Sequence, residues 1–94
     1  MTYDEIVAQI NDIMVTGFEI SPDLLRPEAH LFKDLGLDSL DGVDLVVAIE
    51  KRVGCTIEET AARSMQTLGD IYAYVDARLA VVAGQADEQG PREL

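Results

Sequence analysis

Apolar and polar residues alternate with helical spacing in three stretches of the chain. From residue 2 to about 16, Tyr3, Ile6, Val7, Ile10, Ile13 and Met14 recur on one face, while Asp4, Glu5, Gln9 and Asp12 take the other. Thr2 and Glu5 stand at capping-box spacing at its start, and Gly17 is a plausible C-terminal stop. A second helix is expected over 39–53, with Asp38 as N-cap, Asp41 at the third position of the first turn and Gly54 as terminator. Its pattern is unusual. Leu45, Val46, Ile49 and Val53 make one apolar stripe, and Leu40, Val43 and Val47 make another displaced around the helix. One of the two must be buried differently or left exposed, and an exposed stripe beside acidic residues is a candidate partner surface. Gly42 weakens the first turn and reads as incidental.

A short helix is expected over Ile57–Arg63 with Thr56 as cap. A last helix begins at Thr67, with Asp70 closing a second capping box and Leu68, Ile71, Tyr72, Val75 and Leu79 facing inward. Between the first two helices lies a long connection, 17–37, broken at Ser21-Pro22 and Arg26-Pro27. Its apolar residues Leu24, Leu25, Leu31, Phe32 and Leu35 pin it to the core, and a loop of this length is functional or carries a short helical turn. Gln85 to Leu94 is polar and contains Gly90-Pro91. The domain is therefore drawn over 1–82 and a disordered tail over 83–94. With no strand alternation and no repeat, the fold class is all-α: a four-helix bundle of three main helices plus one short helix, with a long loop after the first.

Composition narrows the function. The 94 residues suffice for one domain with a modest core, and with 48% apolar but only 5% aromatic residues that core is aliphatic. Eighteen acidic residues against seven basic give a formal charge of −11, which disfavours nucleic acid and favours partners with basic patches. The single cysteine, Cys55, excludes an internal disulfide and reads as a buried, inert thiol. No apolar run approaches the roughly 20 residues of a membrane span, and acidic residues stand where a signal peptide would be basic. A cytoplasmic protein without membrane insertion is expected, a monomer with transient partners.

Ser39 carries the chemical question. A hydrolase elbow needs G-x-S-x-G after a strand, but Leu37-Asp38-Ser39-Leu40-Asp41 lacks both glycines, and the one candidate base is His30 in a loop. A calcium loop starting at Asp34 fails at its third, sixth and twelfth positions, Gly36, Ser39 and Leu45. No metal site is assigned, and the carboxylates read as a solvated acidic face. Capping does not require Ser39, because Asp38 already fills that position. A modification remains: a phosphodiester on Ser39 would meet the free N–H groups and positive dipole of a helix N-terminus, with Asp38 and Asp41 turning it outward.

The run Asp34-Leu35-Gly36-Leu37-Asp38-Ser39-Leu40-Asp41, followed by Val43-Asp44-Leu45-Val46, resembles the signature of acyl carrier proteins, and the similarity extends from about Ala29 to Val75. Thr67-Leu68-Gly69-Asp70-Ile71 also fits the start of that family's last helix. The resemblance implies a carrier rather than an enzyme, with no catalytic residues. Ser39 would hold 4′-phosphopantetheine, attached covalently from coenzyme A by a phosphopantetheinyl transferase, and acyl groups would ride on the arm as thioesters for fatty-acid, polyketide or related lipid biosynthesis. It further implies a partner face of Asp38, Leu40, Asp41, Val43, Asp44, Val47 and Glu50 for acyl-transferring and ketosynthase-type enzymes with basic patches. Ile10, Leu45, Val46, Ile49, Ile57, Ala62, Ile71 and Val75 would line the core where a chain could shelter, and ordinary packing explains the same residues equally well.

Three departures point to a specialised, non-primary member. Lys51 and Arg52 follow Glu50 where primary fatty-acid carriers continue acidic, Arg63 adds positive charge to the short helix, and Glu58 stands where many relatives have proline. Two alternatives keep the fold: an aminoacyl or peptidyl carrier, which would more often show G-G-[HD]-S and a less acidic second helix, and an interaction module that is never modified. A small hydrolase is the weakest reading.

Overall fold

The computed structural model describes the backbone of residues 1–88 and the side chains of residues 1–80. Helix α1, Tyr3–Phe18, begins where expected: the Thr2 hydroxyl accepts the Glu5 N–H at 3.2 Å, and the Glu5 carboxylate accepts the Thr2 N–H at 2.8 Å. Ile6, Ile10, Ile13 and Met14 are buried along one stripe. The helix does not stop at Gly17. It runs one residue further, and Glu19 takes the left-handed position, φ 56°, that glycine usually fills. The physical reason lies downstream: Phe18 packs against the core and Ile20 is buried, so the reversal must fall between them.

The long connection carries one 3-10 turn, Pro22–Leu24. Ala29, Leu31, Leu35 and Leu37 are buried and Leu25 is half-buried, which pins the loop as expected; Leu24 and Phe32, by contrast, are exposed. The loop is also stitched to the start of the last helix. Leu31 N–H donates to Gln66 O at 2.8 Å, Leu68 N–H to Ala29 O at 3.1 Å and Gly69 N–H to Pro27 O at 2.8 Å, around an isolated antiparallel bridge between His30 and Thr67. Backbone groups that would otherwise need water are paired in this seam.

Helix α2 spans Ser39–Val53, and Gly54 ends it at φ 77°. Asp38 and Asp41 cap its start reciprocally: each carboxylate accepts the other residue's backbone N–H, at 2.9 Å and 3.2 Å. Helix α3 is shorter than expected, Glu59–Ser64, and Thr56 does not cap it. The N-cap position belongs to Glu58, whose side chain makes no capping bond. Ile57 is drawn into the core instead, and its N–H donates to the Glu50 carboxylate at 2.8 Å, so the chain stays extended until residue 58.

Helix α4, Leu68–Glu88, opens with the expected Thr67–Asp70 capping box. Leu68, Ile71, Tyr72 and Val75 are buried and Leu79 is half-buried. The Tyr72 hydroxyl donates to Asn11 Oδ1 on α1, and the Tyr72 ring meets Tyr3 edge-on at 6.3 Å. Burial pushes the Tyr72 phenol above its ordinary range, and the bond to Asn11 opposes that rise in part. Backbone helix continues past the domain boundary drawn at 82, and residues 89–94 of the expected tail lie outside the described residues. Among the described residues the fold is all-α with four helices, α1 packed on both α2 and α4.

Candidate functional site

Helix α2 divides its circumference among three environments. At about 100° per residue, Leu45 and Ile49 point into the core, 2% and 1% exposed. Leu40, Val43 and Val47 point into solvent, 76%, 61% and 42% exposed, so the second apolar stripe is left open. Between the stripe and the core face, Asp41 and Asp44 line a recess of about 520 Å³, shared with Glu19 and with an apolar floor of Ile13, Phe18 and Ala48. Asp38, exposed at the N-cap, is engaged by the Asp41 N–H. Glu50 is half-buried and bound to the Ile57 N–H, so its first task is to hold the link to α3.

Ser39 is the first residue of α2 and is exposed. Beside it lies a cavity of about 530 Å³, walled by α2, α3, the α4 start and the loop before α2. Six of the eight expected chain-sheltering residues line it: Leu45, Val46, Ile49, Ile57, Ala62 and Ile71. Ile10 and Val75 do not; both are fully buried in the core cluster. The lining residues that are also exposed, among them Phe32, Ser39, Val43 and Val47, mark the open side of the cavity.

Sequence reasoning missed Leu31, Phe32, Leu37 and Met65 as lining residues. Phe32 follows buried Leu31 in a tight turn and so faces away from the core. The available signal was the i, i+4 pair Leu31 and Leu35, which are both buried and leave Phe32 on the opposite side.

The positive charges that follow Glu50 have distinct surroundings. Arg52 reaches across to α1, binding Gln9 Oε1 at 2.8 Å and Asp12 Oδ2 at 3.1 Å. Arg63 pairs with Glu59 one turn earlier on α3, and both line the cavity. Cys55 is buried, and that burial raises its thiol above the ordinary range; Glu50 adds to the rise and Arg78 opposes it. Among the described residues no group of three or more His, Cys, Asp or Glu side chains is arranged to hold a metal ion.

An exposed serine at a helix start, next to an apolar cavity and between an apolar stripe and a carboxylate face, can present a tethered group to the cavity or to solvent. The comparisons with known proteins agree with that arrangement. Residues 5–75 match the family described as "Phosphopantetheine attachment site". The chain is 40% identical over 80 residues to "Acyl carrier protein 2" of Ralstonia nicotianae, covering 85% of this chain and 99% of the relative. It is 31% identical over 72 residues to "Acyl carrier protein" of Campylobacter hominis, covering 77% and 91%. With "Acyl carrier protein" of Campylobacter fetus it shares 32% over 68 residues, covering 72% and 88%. The chain belongs to the phosphopantetheine-attachment family of acyl carrier proteins.

Proposed function

We propose that Ser39 is the attachment point of the 4′-phosphopantetheine arm and that the protein is a carrier of acyl intermediates with no catalytic residues of its own. The observation that carries this reading is the exposed Ser39 in the first turn of α2, on the open side of the apolar cavity. The residues present fit the group. The first turn has free N–H groups and the positive end of the helix dipole for a phosphodiester, and Gly42 offers open space one turn along. When bound, the arm supplies a terminal thiol on which acyl groups are held as thioesters. The chain's own residues then shelter or present the cargo. Leu45, Val46, Ile49, Ile57, Ala62 and Ile71 offer an apolar wall to an aliphatic chain. Leu40, Val43 and Val47, flanked by Asp38, Asp41 and Asp44, offer a partner face for the transferase and for acyl-transferring and ketosynthase-type enzymes with basic patches.

The carrier serves a specialised pathway rather than bulk fatty-acid synthesis. With Arg52 occupied by α1, Lys51 and Arg63 are the basic departures turned toward solvent, and they alter the face that a primary synthase would read. Activity with primary fatty-acid synthase enzymes equal to that of their own carrier would overturn this part. Among the described residues no helix is long and apolar enough to cross a membrane.

The deciding experiment is an intact mass after incubation with coenzyme A, Mg²⁺ and a broad-specificity phosphopantetheinyl transferase, with Ser39→Ala alongside. One phosphopantetheine is expected on the wild type and none on the variant. No gain on a folded, previously unmodified wild type would remove the carrier reading and favour an interaction module of the same fold.

A further inference from the structure

His30 is the chain's single histidine, and it caps a turn. Its Nδ1 accepts the backbone N–H groups of Phe32 and Lys33, both at 3.2 Å. The His30 backbone N–H donates to Asp34 Oδ2 at 2.8 Å, and the His30 backbone carbonyl accepts the N–H groups of Asp34 and Leu35. This is the reciprocal logic of a capping box, with an imidazole where a hydroxyl or carboxylate usually stands. A ring that accepts at Nδ1 carries its proton on Nε2, and an imidazolium has no lone pair to accept with.

The turn that His30 caps is also a wall of the cavity. It sends Leu31 inward and Phe32 outward, and both line the same space as Ser39 and Val43. The Phe32 ring is tilted 55° to the imidazole at 6.0 Å between centroids and is half exposed. The two neighbours are held very differently. Leu31 donates its N–H to Gln66 O in the seam with the start of α4 and is buried. The Phe32 N–H, by contrast, is held by the imidazole.

We propose that neutral His30 is the positioning residue that keeps Phe32 across the open side of the cavity, and that protonation of the ring releases it, loosening the entrance beside Ser39. The identity of what passes that entrance rests on the carrier reading; the coupling itself is a property of this chain. The two hydrogen bonds exist for the neutral ring only. The restraint is therefore present while the ring is neutral and is lost once it is protonated. The charged groups around the turn do not replace the lost acceptor. Asp34 is engaged by the His30 N–H, and Asp70 on α4 by the Gln66 and Thr67 N–H groups. Lys33 has no acceptor to offer, and Glu59 and Arg63, across the cavity on α3, are paired with each other. Release is confined to the piece around Phe32 and Lys33, because the bridge at Thr67 and the buried Leu31 and Leu35 hold both sides of it.

The test is an NMR titration of the full chain between about pH 8 and 5, reading the ring nitrogens of His30 together with amide protection factors, which correct for intrinsic exchange. The Nε2–H tautomer is expected at the upper end. Protection of the Phe32 and Lys33 amides should fall about tenfold as the ring protonates, while that of Leu31 holds. His30→Asn, whose side-chain oxygen can accept in place of Nδ1, should stay protected throughout, and His30→Leu should be unprotected throughout. Uptake of the neutral apolar dye N-phenyl-1-naphthylamine should rise over the same range in the wild type and stay flat in His30→Asn. An Nδ1–H tautomer at neutral pH, protection that survives ring protonation, or dye uptake that rises equally in His30→Asn would each overturn the proposal. None of these readouts needs the arm, so failure to load Ser39 and failure of this switch are separately visible.

Discussion

Ala in place of Gly normally stabilises a helix by up to about 1 kcal/mol, and the helical glycines Gly17, Gly42 and Gly69 should not all obey that rule. Gly69, the second residue of α4, donates its N–H to Pro27 O at 2.8 Å. A Cβ on Gly69 would stand 2.9 Å from that same oxygen and 3.4 Å from Pro27 Cβ, closer to the oxygen than Cβ atoms are found to come. Relief requires the loop to draw back, which strains all three hydrogen bonds of the seam that fastens it to α4. Overpacking of this kind costs about 1–3 kcal/mol, and one weakened hydrogen bond about 1 more. The helix-propensity gain, smaller in a first turn than in a helix interior, offsets less than about 1 kcal/mol. Gly69→Ala should therefore destabilise by about 1–4 kcal/mol. For a chain of this size that lowers the melting midpoint by roughly 4–32 °C. Gly17 and Gly42 have nothing within 4 Å of an added Cβ, so Gly17→Ala and Gly42→Ala should leave stability unchanged or raise it by up to about 1 kcal/mol. Urea unfolding followed by circular dichroism measures all three against the wild type. A Gly69→Ala protein as stable as the wild type, or three variants shifting in the same direction, would refute the reasoning.

Two further outcomes follow from titratable groups. The N–H groups of Gln66 and Thr67 hold the Asp70 carboxyl below the usual carboxylate range. A folded value below the unfolded one, roughly 3.9, contributes stability that is present above that value and lost as pH falls through the folded one. Asp70→Asn should flatten the acid side of the stability–pH curve, and urea midpoints from pH 6 to 3 that fall in parallel with the wild type would contradict this. Burial of Cys55 favours its neutral thiol, so 5,5′-dithiobis(2-nitrobenzoic acid) at pH 8 should label the folded protein about a hundredfold or more slowly than the urea-unfolded chain; fast labelling of the folded form would show that the thiol is reachable.

The three main helices were legible because each begins with a local signal. Thr2–Glu5, Asp38 with Asp41, and Thr67–Asp70 cap their own helices through contacts three residues apart, and such contacts are written in adjacent sequence. The open stripe of α2 was legible for a related reason: Leu40, Val43 and Val47 could not share a face with Leu45 and Ile49. The errors fall where a distant contact decides. α1 outruns Gly17 because buried Ile20 sets the reversal, and α3 starts late because Ile57 is bound to Glu50 seven residues earlier. Phe32 turns outward because Leu31 and Leu35 on either side of it are buried, and the bridge from His30 to Thr67, thirty-seven positions away, holds the backbone beside it. The cavity was half legible: six of its apolar residues could be named from helix faces, while Ile10 and Val75 had the same pattern and a different fate.

Folding alone does not account for α2. Burying a Leu or Val side chain contributes about 1.5–3 kcal/mol, and α2 forgoes that at three positions while burying Leu45 and Ile49 fully. Nor does solubility explain the stripe, since polar residues at 40, 43 and 47 would serve it better. In the proposed function, the carboxylates at 38, 41 and 44 beside the stripe would supply long-range attraction to a basic surface, and the open side chains would supply contact area once it arrives. Such a face, small and rimmed with charge, suits partners that come and go. The first turn of the same helix holds Ser39 between that face and the cavity, so a group attached there stands at the boundary between shelter and delivery. The core residues Leu45 and Ile49 and the open stripe of Leu40, Val43 and Val47 thus lie on separate sides of one helix, while Asp38 and Asp41 both cap that helix and belong to the proposed partner face.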